Sequence, residues 1–364
     1  MEYRLEELFD LQMGKTPSRS NPEYWNSADK KWISISDLSK CGKYIKETKE
    51  YLSDRAISES GISIIPANTV VMSFKLSIGK TAITAEPMYS NEAIMSFRDR
   101  HIVELLPDYI YYMFLGRNWD TGTNKAVMGK TLNKATLSKI KIHVHSLEEQ
   151  KIIINVLDKV SEIIEARNQE LHNLDDLIKA RFVEMFGDEE YTAKIGKYII
   201  ELRGGKSLAG NETCKNKVLK TGAATFGRFD PSQYKYLPVD YEPLPEHKVE
   251  TGDVIISRMN TPELVGACSY VFEAPENMYY PDRLWKAVLT KESNPIFIWQ
   301  LLWDKEVRRQ IKEKSGGTSG TMHNISKPNL LSIACPDVPK SKQDEYALFV
   351  RQVDKSRFVF RFFT

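Results

Sequence analysis

Two short stretches combine the residue types that bind a phosphate group. Each has a glycine followed by a lysine and a hydroxyl residue: Gly14-Lys15-Thr16 and Gly205-Lys206-Ser207. Backbone N–H groups, an ammonium group and a hydroxyl group together suit phosphate oxygens. Neither stretch has the glycine spacing of a Walker A loop, so nucleotide hydrolysis is not indicated. An ordinary surface turn is the alternative interpretation of both.

Other cations and small polar residues have the properties of nucleic-acid ligands. Lys75 and Arg258 follow two similar apolar runs, and a guanidinium group such as that of Arg258 can pair with both acceptors of a guanine. The stretches 120–125 and 314–324 are rich in Gly, Ser, Thr and Asn, which is typical of a recognition loop. In and after these stretches we single out Lys125, Lys130, Lys134, Thr318, Thr321, His323 and Lys327. We predict that they contact DNA, with an ordinary solvent-exposed side chain as the alternative.

The sequence lacks the motifs that would carry catalysis. Asn21-Pro22-Glu23-Tyr24 differs from the Asn-Pro-Pro-Tyr motif of amine methyltransferases at its third position, and no glycine-rich cofactor loop precedes it. No HExxH zinc motif and no Gly-x-Ser-x-Gly nucleophile motif occurs. The four cysteines lie far apart, so neither a disulfide framework nor a zinc site is indicated. We therefore predict no catalytic residue, no bound metal and no cofactor on this chain.

The candidate residues belong to a sequence that is repeated once. Residues 11–16, 66–75 and 137–150 match residues 202–207, 250–259 and 330–343, with shifts of 191, 184 and 193. Their common order indicates a duplicated unit of about 190 residues. Each copy has short β-rich runs between Gly, Pro and Asn turns, with interspersed short helices. The predicted fold class is α+β, with two similar α/β domains in a tandem pseudo-repeat.

Between the two copies the apolar residues change to helical spacing. No Pro or Gly occurs from Leu147 to Phe186, and Gly187 supplies a stop. The apolar positions alternate steps of four and three, with Arg167 and Arg181 as exceptions. The predicted partner-helix interface comprises Ile153, Leu157, Val160, Ile164, Leu171, Leu174, Ile178 and Met185. A helix of this length would span roughly 60 Å and would need another helix to cover its apolar stripe.

Charge separates this helical segment from the rest of the chain. Residues 147–186 contain five basic and nine acidic residues, a net charge of −4, whereas the whole chain carries +2. The flanking regions therefore carry +6 and are the parts suited to approach a polyanion, while the helix is suited to contact protein. On charge alone, an ordinary soluble surface is the favoured interpretation of +6 spread over the rest of the chain.

The order of these parts resembles the specificity subunits of type I restriction-modification systems. The resemblance rests on residues 129–140 and 147–153, on residues 179–188, which resemble a central conserved region, and on residues 341–356, which resemble a second conserved helix. It implies a target-recognition domain at 1–146, a central helix at 147–187, a second target-recognition domain at 188–337 and a C-terminal helix at 338–364. Because the sequence stops soon after Ser356, we expect the second helix to be shorter than the first.

The resemblance also implies a function and a set of partners. We expect a non-catalytic subunit that recognises a bipartite site in double-stranded DNA and docks methyltransferase subunits and, through them, restriction subunits. In this family the two helices pair in opposite directions. S-adenosylmethionine, Mg and ATP are expected only on the partner subunits, and self-association through the unpaired half of the central helix is a further expectation. The alternative is a scaffold protein that holds other subunits through the long helix without binding DNA.

The cellular location is predicted from the absence of an apolar segment. The first residues are charged, and no run of eighteen apolar residues occurs. We therefore expect a cytoplasmic protein that does not enter a membrane.

Overall fold

The computed structural model describes residues 1–26, 29–75, 77–119, 124–126, 129–319 and 322–361, with the backbone alone for residues 124–126, 129–131, 318–319 and 358–361. Its internal contacts divide the chain into two compact units, Met1–Glu165 and Ala166–Thr364. The helix Leu147–Phe186, which we call α6, contains the boundary between them and has 40 residues. Its bounds confirm the predicted long helix. The predicted four-part division of the chain stays a prediction.

Unit 1 is a mixed fold of short strands and helices. Its strands are β1 (Glu2–Arg4), β2 (Phe9–Met13), β3 (Lys30–Ile33), β4 (Tyr44–Ile45), β5 (Glu50–Leu52), β6 (Val70–Ser73), β7 (Thr81–Thr84), β8 (Tyr89–Ser90), β9 (Ile94–Asp99), β10 (Asn124–Ala126), β11 (Gly129–Thr131) and β12 (Lys141–His143). Before α6 its helices are α1 (Leu5–Leu8), α2 (Ile35–Leu38), α3 (Asp54–Ser60), α4 (Pro107–Leu115) and α5 (Lys134–Ser138).

Unit 2 follows the end of α6. Its strands are β13 (Ala193–Lys194), β14 (Ile199–Gly204), β15 (Lys217–Leu219), β16 (Tyr234–Tyr236), β17 (Val254–Ser257), β18 (Met259–Asn260), β19 (Cys268–Tyr270), β20 (Met278–Tyr279), β21 (Leu284–Leu289), β22 (Gly316–Ser319), β23 (Met322–Asn324) and β24 (Ala334–Cys335). Its helices are α7 (Pro295–Leu301), α8 (Lys305–Lys314), α9 (Lys327–Leu331) and α10 (Lys340–Arg361). At 22 residues, α10 is shorter than α6, as predicted.

The two units share one sheet topology. The central sheet of unit 1 has the order β2-β9-β6-β7-β4, and that of unit 2 has the order β14-β21-β17-β19. In both, the first four strands are antiparallel to their neighbours. A smaller sheet also recurs, because β3 and β15 each pair with one antiparallel and one parallel strand. The shared topology confirms the duplication predicted from sequence; in the described part of the chain, the unit 1 sheet has β4 as a fifth strand and the unit 2 sheet has four strands.

The central strands are buried on both faces. In β6, Val70 and Met72 belong to one apolar cluster and Val71 belongs to another. In β17, Val254 and Ile256 likewise face a different cluster from Ile255. Because alternate side chains of a strand point to opposite faces, both faces of each sheet are covered. This is why these strands are continuous apolar runs rather than alternating ones.

A buried glutamine occupies the same place in both units. Gln150, near the start of α6, donates from Nε2 to the carbonyl oxygens of Glu104 (2.9 Å) and His145 (3.0 Å), and its Oε1 accepts from the Leu106 N–H (3.0 Å). Its exposed fraction is 0%. In unit 2, Gln343 near the start of α10 makes the same three kinds of hydrogen bond. Each glutamine joins the first turn of a long helix to the segment that leads into α4 or α7.

In unit 2, α10 packs antiparallel to the last part of α6. The Tyr346 hydroxyl donates to the Ile178 carbonyl oxygen (3.1 Å), and the Arg357 guanidinium contacts the Asp175 carboxylate (2.6 Å) further back along α6. Phe182 and Phe186 are buried in the same interface. The opposed order of these contacts confirms that the two helices run in opposite directions, as the family resemblance implied.

The predicted partner-helix residues of α6 have different surroundings. Ile153 packs against the core of unit 1. In unit 2, Ile178 is buried in the core, and Leu174 and Met185 pack against that core. Leu157 and Leu171 are half-buried. By contrast, Val160 and Ile164 are 45% and 49% exposed.

Arg181 does not interrupt the helix interface as its charge led us to expect. Its guanidinium lies 3.6 Å from Glu345 of α10 and 5.8 Å from the ring of Phe349. The long aliphatic stem of an arginine covers apolar surface while its charged end finds a partner.

Within the described ranges, no helix is both long enough and apolar enough to cross a membrane. The predicted cytoplasmic location stays a prediction.

Candidate nucleic-acid interface

The sheet of unit 1 brings together candidate residues that are distant in sequence. Met13 at the end of β2 lies opposite Met95, and Ser73 at the end of β6 lies opposite Ile94. The C-terminal ends of β2 and β6 therefore flank the start of β9. Lys15 and Thr16 follow β2, and Lys75 follows β6, so all three lie at one end of the sheet.

Unit 2 repeats this arrangement. Gly204 at the end of β14 lies opposite Trp285, and Ser257 at the end of β17 lies opposite Leu284. Lys206, Ser207 and Arg258 therefore meet at the corresponding end of the sheet. We call this end of each sheet the strand-end cluster: Lys15, Thr16, Arg19, Lys75 and Glu92 in unit 1, and Lys206, Ser207, Arg258, Asp282 and Arg283 in unit 2.

A hairpin lies beside each strand-end cluster, and the same backbone hydrogen bond connects it to the central strand in both units. Strands β10 and β11 form it in unit 1, and β22 and β23 form it in unit 2. The residue after each hairpin donates its N–H to the residue after the central strand: Leu132 to the Phe74 carbonyl oxygen (3.0 Å), and Ile325 to that of Arg258 (3.2 Å). The stretch 314–324, which we interpreted as a recognition loop, is thus largely a hairpin that also pairs with β18.

The hairpins hold several candidate residues. His323 lies on β23 opposite Asn260, and its Nδ1 is 3.1 Å from the Ser315 hydroxyl. The side chains of Lys125, Lys130 and Thr318, and the whole of Thr321, lie outside the described residues. The structure therefore gives the position of the His323 side chain at a hairpin, but not the positions of the other candidate side chains there.

Lys134 and Lys327 occupy equivalent positions just after the hairpins. Each is exposed and is the first residue of a short helix, α5 or α9. The preceding Asn133 and Ser326 cap these helices through their side chains, with hydrogen bonds of 2.7 Å and 3.2 Å to backbone N–H groups. The caps fix the helix starts, so both ammonium groups extend from a defined backbone.

Packing explains the two glycines of the Gly-Lys-hydroxyl stretches. A Cβ atom at Gly14 would lie 2.1 Å from the Ser90 carbonyl oxygen, and one at Gly205 would lie 2.0 Å from that of Tyr280. Both distances are far below van der Waals contact, so only glycine fits. Each glycine therefore allows a close approach of two backbone segments, and phosphate binding by these stretches stays a prediction.

The hydroxyl groups of both stretches are held by carboxylates. Thr16 Oγ1 donates to Glu92, and Ser207 Oγ donates to Asp282, whose N–H donates back to Ser207 Oγ (3.2 Å). Partial burial opposes ionisation of Glu92, but its hydrogen bonds and the charges of Lys75 and Arg19 outweigh burial and lower its pKa. Each cluster thus contains one carboxylate among its cations, an acceptor that suits a base amino group rather than a phosphate.

Sequence reasoning missed the stacked Arg19. Its guanidinium lies 3.8 Å from the ring centroid of Trp25, and it is ion-paired with Glu50. Trp25 in turn contacts Trp32 edge-on at 5.0 Å, and Trp32 is a core residue of 1% exposure. Nothing in the local sequence marks Arg19, because its partners come from other segments of unit 1.

Metal binding finds no support within the described part of the chain. There, no group of three or more His, Cys, Asp or Glu side chains is arranged to hold an ion. Burial raises the pKa of the Cys335 thiol to about 12, which suits an inert core residue.

The first part of the chain matches a known protein family. Residues 1–174 match the family described as type I restriction modification DNA specificity domain. The resemblance seen in the sequence is thereby confirmed for the first unit and the start of α6.

Curated relatives carry the same description. The MjaIX specificity subunit of Methanocaldococcus jannaschii is 26% identical over 191 residues, which are 51% of this chain and 44% of that protein. The EcoKI specificity subunit of Escherichia coli is 25% identical over 243 residues, 61% of this chain and 52% of that protein. The matched part of the chain thus spans about half the length of these relatives.

Solved structures agree at the level of the fold. The type I restriction-modification S subunit of M. genitalium matches with a TM-score of 0.50 and 14% identity, covering 99% of this chain and 91% of that one. A second structure, from a study of type I complex assembly and conformational transition, matches with a TM-score of 0.50 and 13% identity over the same shares. The fold of specificity subunits therefore extends over both units.

Proposed function

We propose that this chain is the DNA-binding specificity subunit of a type I restriction-modification complex. Each unit would contact one half of a bipartite site in double-stranded DNA through its strand-end cluster and the adjacent hairpin. The observation that carries the proposal is the convergence, at the same sheet end in both units, of cations that lie far apart in sequence. The arrangement is kept in both copies of the duplicated unit, although their sequences differ.

The chemistry of the strand-end clusters suits this role. Exposed lysines such as Lys15 and Lys206 provide sequence-independent attraction to phosphates. Glu92 and Asp282 provide acceptors for base amino groups, and Arg19 beside Trp25 provides a rigid cation. Because the two clusters differ in these residues, two different half-sites can be recognised by one chain.

Catalysis and cofactors are assigned to partner subunits in this proposal. The chain is non-catalytic, binds its methyltransferase partners through α6 and reaches restriction subunits through them, while S-adenosylmethionine, Mg and ATP bind those partners. In unit 1, α6 carries an exposed apolar stripe available for docking: Ile152, Val156, Val160, Ile163 and Ile164, with exposed fractions from 45% to 64%. The role of α6 as a spacer and the cytoplasmic location belong to the same proposal.

The salt dependence of DNA binding tests the central claim. If Lys15, Lys75, Lys134, Lys206 and Lys327 each neutralise one phosphate, log K for a duplex should fall with log salt concentration, and these five contacts should contribute about −4.5 to the slope. Replacing Lys206 by Ala should make the slope shallower by about one. The measurement is fluorescence anisotropy with the chain bound to a cognate methyltransferase.

Lys291→Ala is the matched control, because Lys291 is exposed and follows the opposite end of β21. It should leave the slope unchanged. A scaffold that holds proteins without contacting DNA would bind no duplex at any salt concentration, and that result would exclude the proposed function.

The exposed apolar stripe of α6 gives a second prediction. The double substitution Val156→Glu and Ile163→Glu should weaken methyltransferase binding by about 100-fold, since two apolar side chains would no longer be buried. Isothermal titration of the methyltransferase into this chain measures the effect. The double substitution Asn155→Glu and Gln169→Glu adds the same charge at exposed positions outside the stripe and should leave binding within about twofold.

Equal losses for the two double substitutions would mean that charge, not the stripe, governs docking. Sedimentation of the isolated chain distinguishes self-association: a concentration-dependent dimer that dissociates in the Val156→Glu and Ile163→Glu variant would assign the stripe to a second copy instead.

A further inference from the structure

Arg258 is held at the end of β17 by contacts on several sides. Its N–H donates to the Arg283 carbonyl oxygen (2.9 Å), and its carbonyl oxygen accepts from Ile325 (3.2 Å). Its side-chain Nε donates to Asn324 Oδ1 (3.2 Å), and the guanidinium carbon lies 6.0 Å from the ring centroid of Trp285. Both the backbone and the direction of this side chain are therefore fixed.

The contact with Asn324 occupies only one edge of the guanidinium group. In the part of the chain that the structure describes, no carboxylate forms an ion pair with Arg258. Two other arginines of unit 2 are ion-paired, Arg203 with Glu201 (2.7 Å) and Arg309 with Glu306 and Glu313. Arg258 thus keeps its charge and its two terminal nitrogens available, although it is half-buried.

We propose that Arg258 is a specificity-determining residue that recognises one guanine in the half-site contacted by unit 2, with Asn324 as its positioning residue. This inference rests on the proposed function. The major-groove edge of guanine presents two acceptors, N7 and O6, and the two terminal nitrogens of a guanidinium group match their spacing. A guanidinium whose Nε is already bound presents these two nitrogens to the base without a further loss of side-chain freedom.

The equivalent position in unit 1 has different chemistry. Phe74 follows β6 as Arg258 follows β17, and its carbonyl oxygen accepts from Leu132 as that of Arg258 accepts from Ile325; the next residue, Lys75, carries a single ammonium group near Glu92. Its ammonium nitrogen lies 5.3 Å from the ring centroid of the adjacent Phe74. Neither the buried Phe74 nor the lysine beside it can form the planar two-point contact, so we assign this mode of guanine recognition to unit 2.

The experiment uses the full chain with a cognate methyltransferase. Mapping of methylated bases first defines the bipartite site. Duplexes are then prepared with each guanine of that site replaced in turn by 7-deazaguanine, which lacks the N7 acceptor. We expect one guanine, in one half-site only, at which this replacement weakens binding about tenfold for the wild-type chain and has no effect for Arg258→Ala.

Three substitutions distinguish a role in base recognition from a role in folding or in general attraction to DNA. Arg258→Lys keeps the positive charge. It should reduce the preference for guanine over the other bases at that position by about 10- to 100-fold and leave the base preferences at the other positions unchanged. Asn324→Ala should reduce discrimination several-fold at the same base pair alone, which a merely structural role would not do. Arg309→Lys, on the exposed surface of α8, is the control and should change no position.

Each outcome has a distinct meaning. If Arg258→Lys keeps wild-type discrimination at every position while the bipartite motif is still methylated, the inference is overturned and the proposed function stands. A general loss of affinity without a change at any single base pair would make Arg258 a phosphate ligand, which also overturns the inference. If the wild-type complex binds no duplex, the proposed function itself fails.

Discussion

Replacing Gln343 by Leu should lower the free energy of unfolding of unit 2 by about 3–5 kcal/mol. The glutamine is 1% exposed and makes three hydrogen bonds to the backbone: from Nε2 to the carbonyl oxygens of Val338 (2.8 Å) and Glu292 (3.3 Å), and to Oε1 from the Asn294 N–H (2.9 Å). Leucine has a similar size but leaves all three backbone groups without this partner. An unsatisfied buried polar group costs about 1–3 kcal/mol, so the combined effect is large.

Urea denaturation followed by circular dichroism measures this loss. Gln169→Leu is the matched control, because Gln169 is exposed on α6 and bonds only with Asn173 in the described part of the chain. It should change stability by less than about 0.5 kcal/mol. Gln150→Leu should destabilise unit 1 as Gln343→Leu destabilises unit 2. Similar effects for Gln343→Leu and Gln169→Leu would show that the buried hydrogen bonds contribute little.

Replacing Asp175 by Ala should destabilise unit 2 by a similar amount, about 3–5 kcal/mol. The Asp175 carboxylate binds two guanidinium groups, those of Arg357 (2.6 Å) and Arg228 (3.0 Å). The side chain of Arg357 is only 3% exposed. Removal of the carboxylate would leave a buried charge without its counter-ion, which is among the most destabilising of single substitutions.

The neighbouring Asp176 provides the control for this prediction. Its carboxylate is 76% exposed and pairs with Lys179 at the surface (3.1 Å), so Asp176→Ala should change stability by less than about 1 kcal/mol. The double variant Asp175→Ala with Arg357→Met should recover much of the loss, because it removes the buried charge as well. If thermal denaturation shows no such recovery, the loss arises from packing rather than from the unpaired charge.

The sequence predicted the parts of the fold that depend on local pattern. Forty residues without Pro or Gly, bounded by Gly187, suffice to define α6, because helix formation and termination are decided by nearby residues. The duplication was visible because both copies keep similar residues at the ends of β2 and β14. The strand-end convergence of Lys15 with Lys75 was not visible, since it depends on strand order.

Features that depend on distant contacts were missed or misinterpreted. The packing role of Gly14 was not predicted because the Ser90 carbonyl oxygen that excludes a side chain is 76 positions away in sequence. The stretch 314–324 was interpreted as a loop because its Gly, Ser and Thr content hides a hairpin that is completed by pairing with β18. Arg181 was taken as a break in the apolar stripe because its partner Glu345 lies on α10.

The first and last strands of each unit pair with each other, so the segment between them begins and ends at neighbouring positions. In unit 1, β1 pairs with β12 so that Glu2 faces His143, and in unit 2, β13 pairs with β24 so that Ala193 faces Cys335. Crossing over within these strands would exchange the segment between them as one block, while the core residues that α6 and α10 contribute, such as Ile178 and Tyr346, would stay in place. New combinations of half-sites could therefore arise by recombination where the exchanged segment packs against these helix residues.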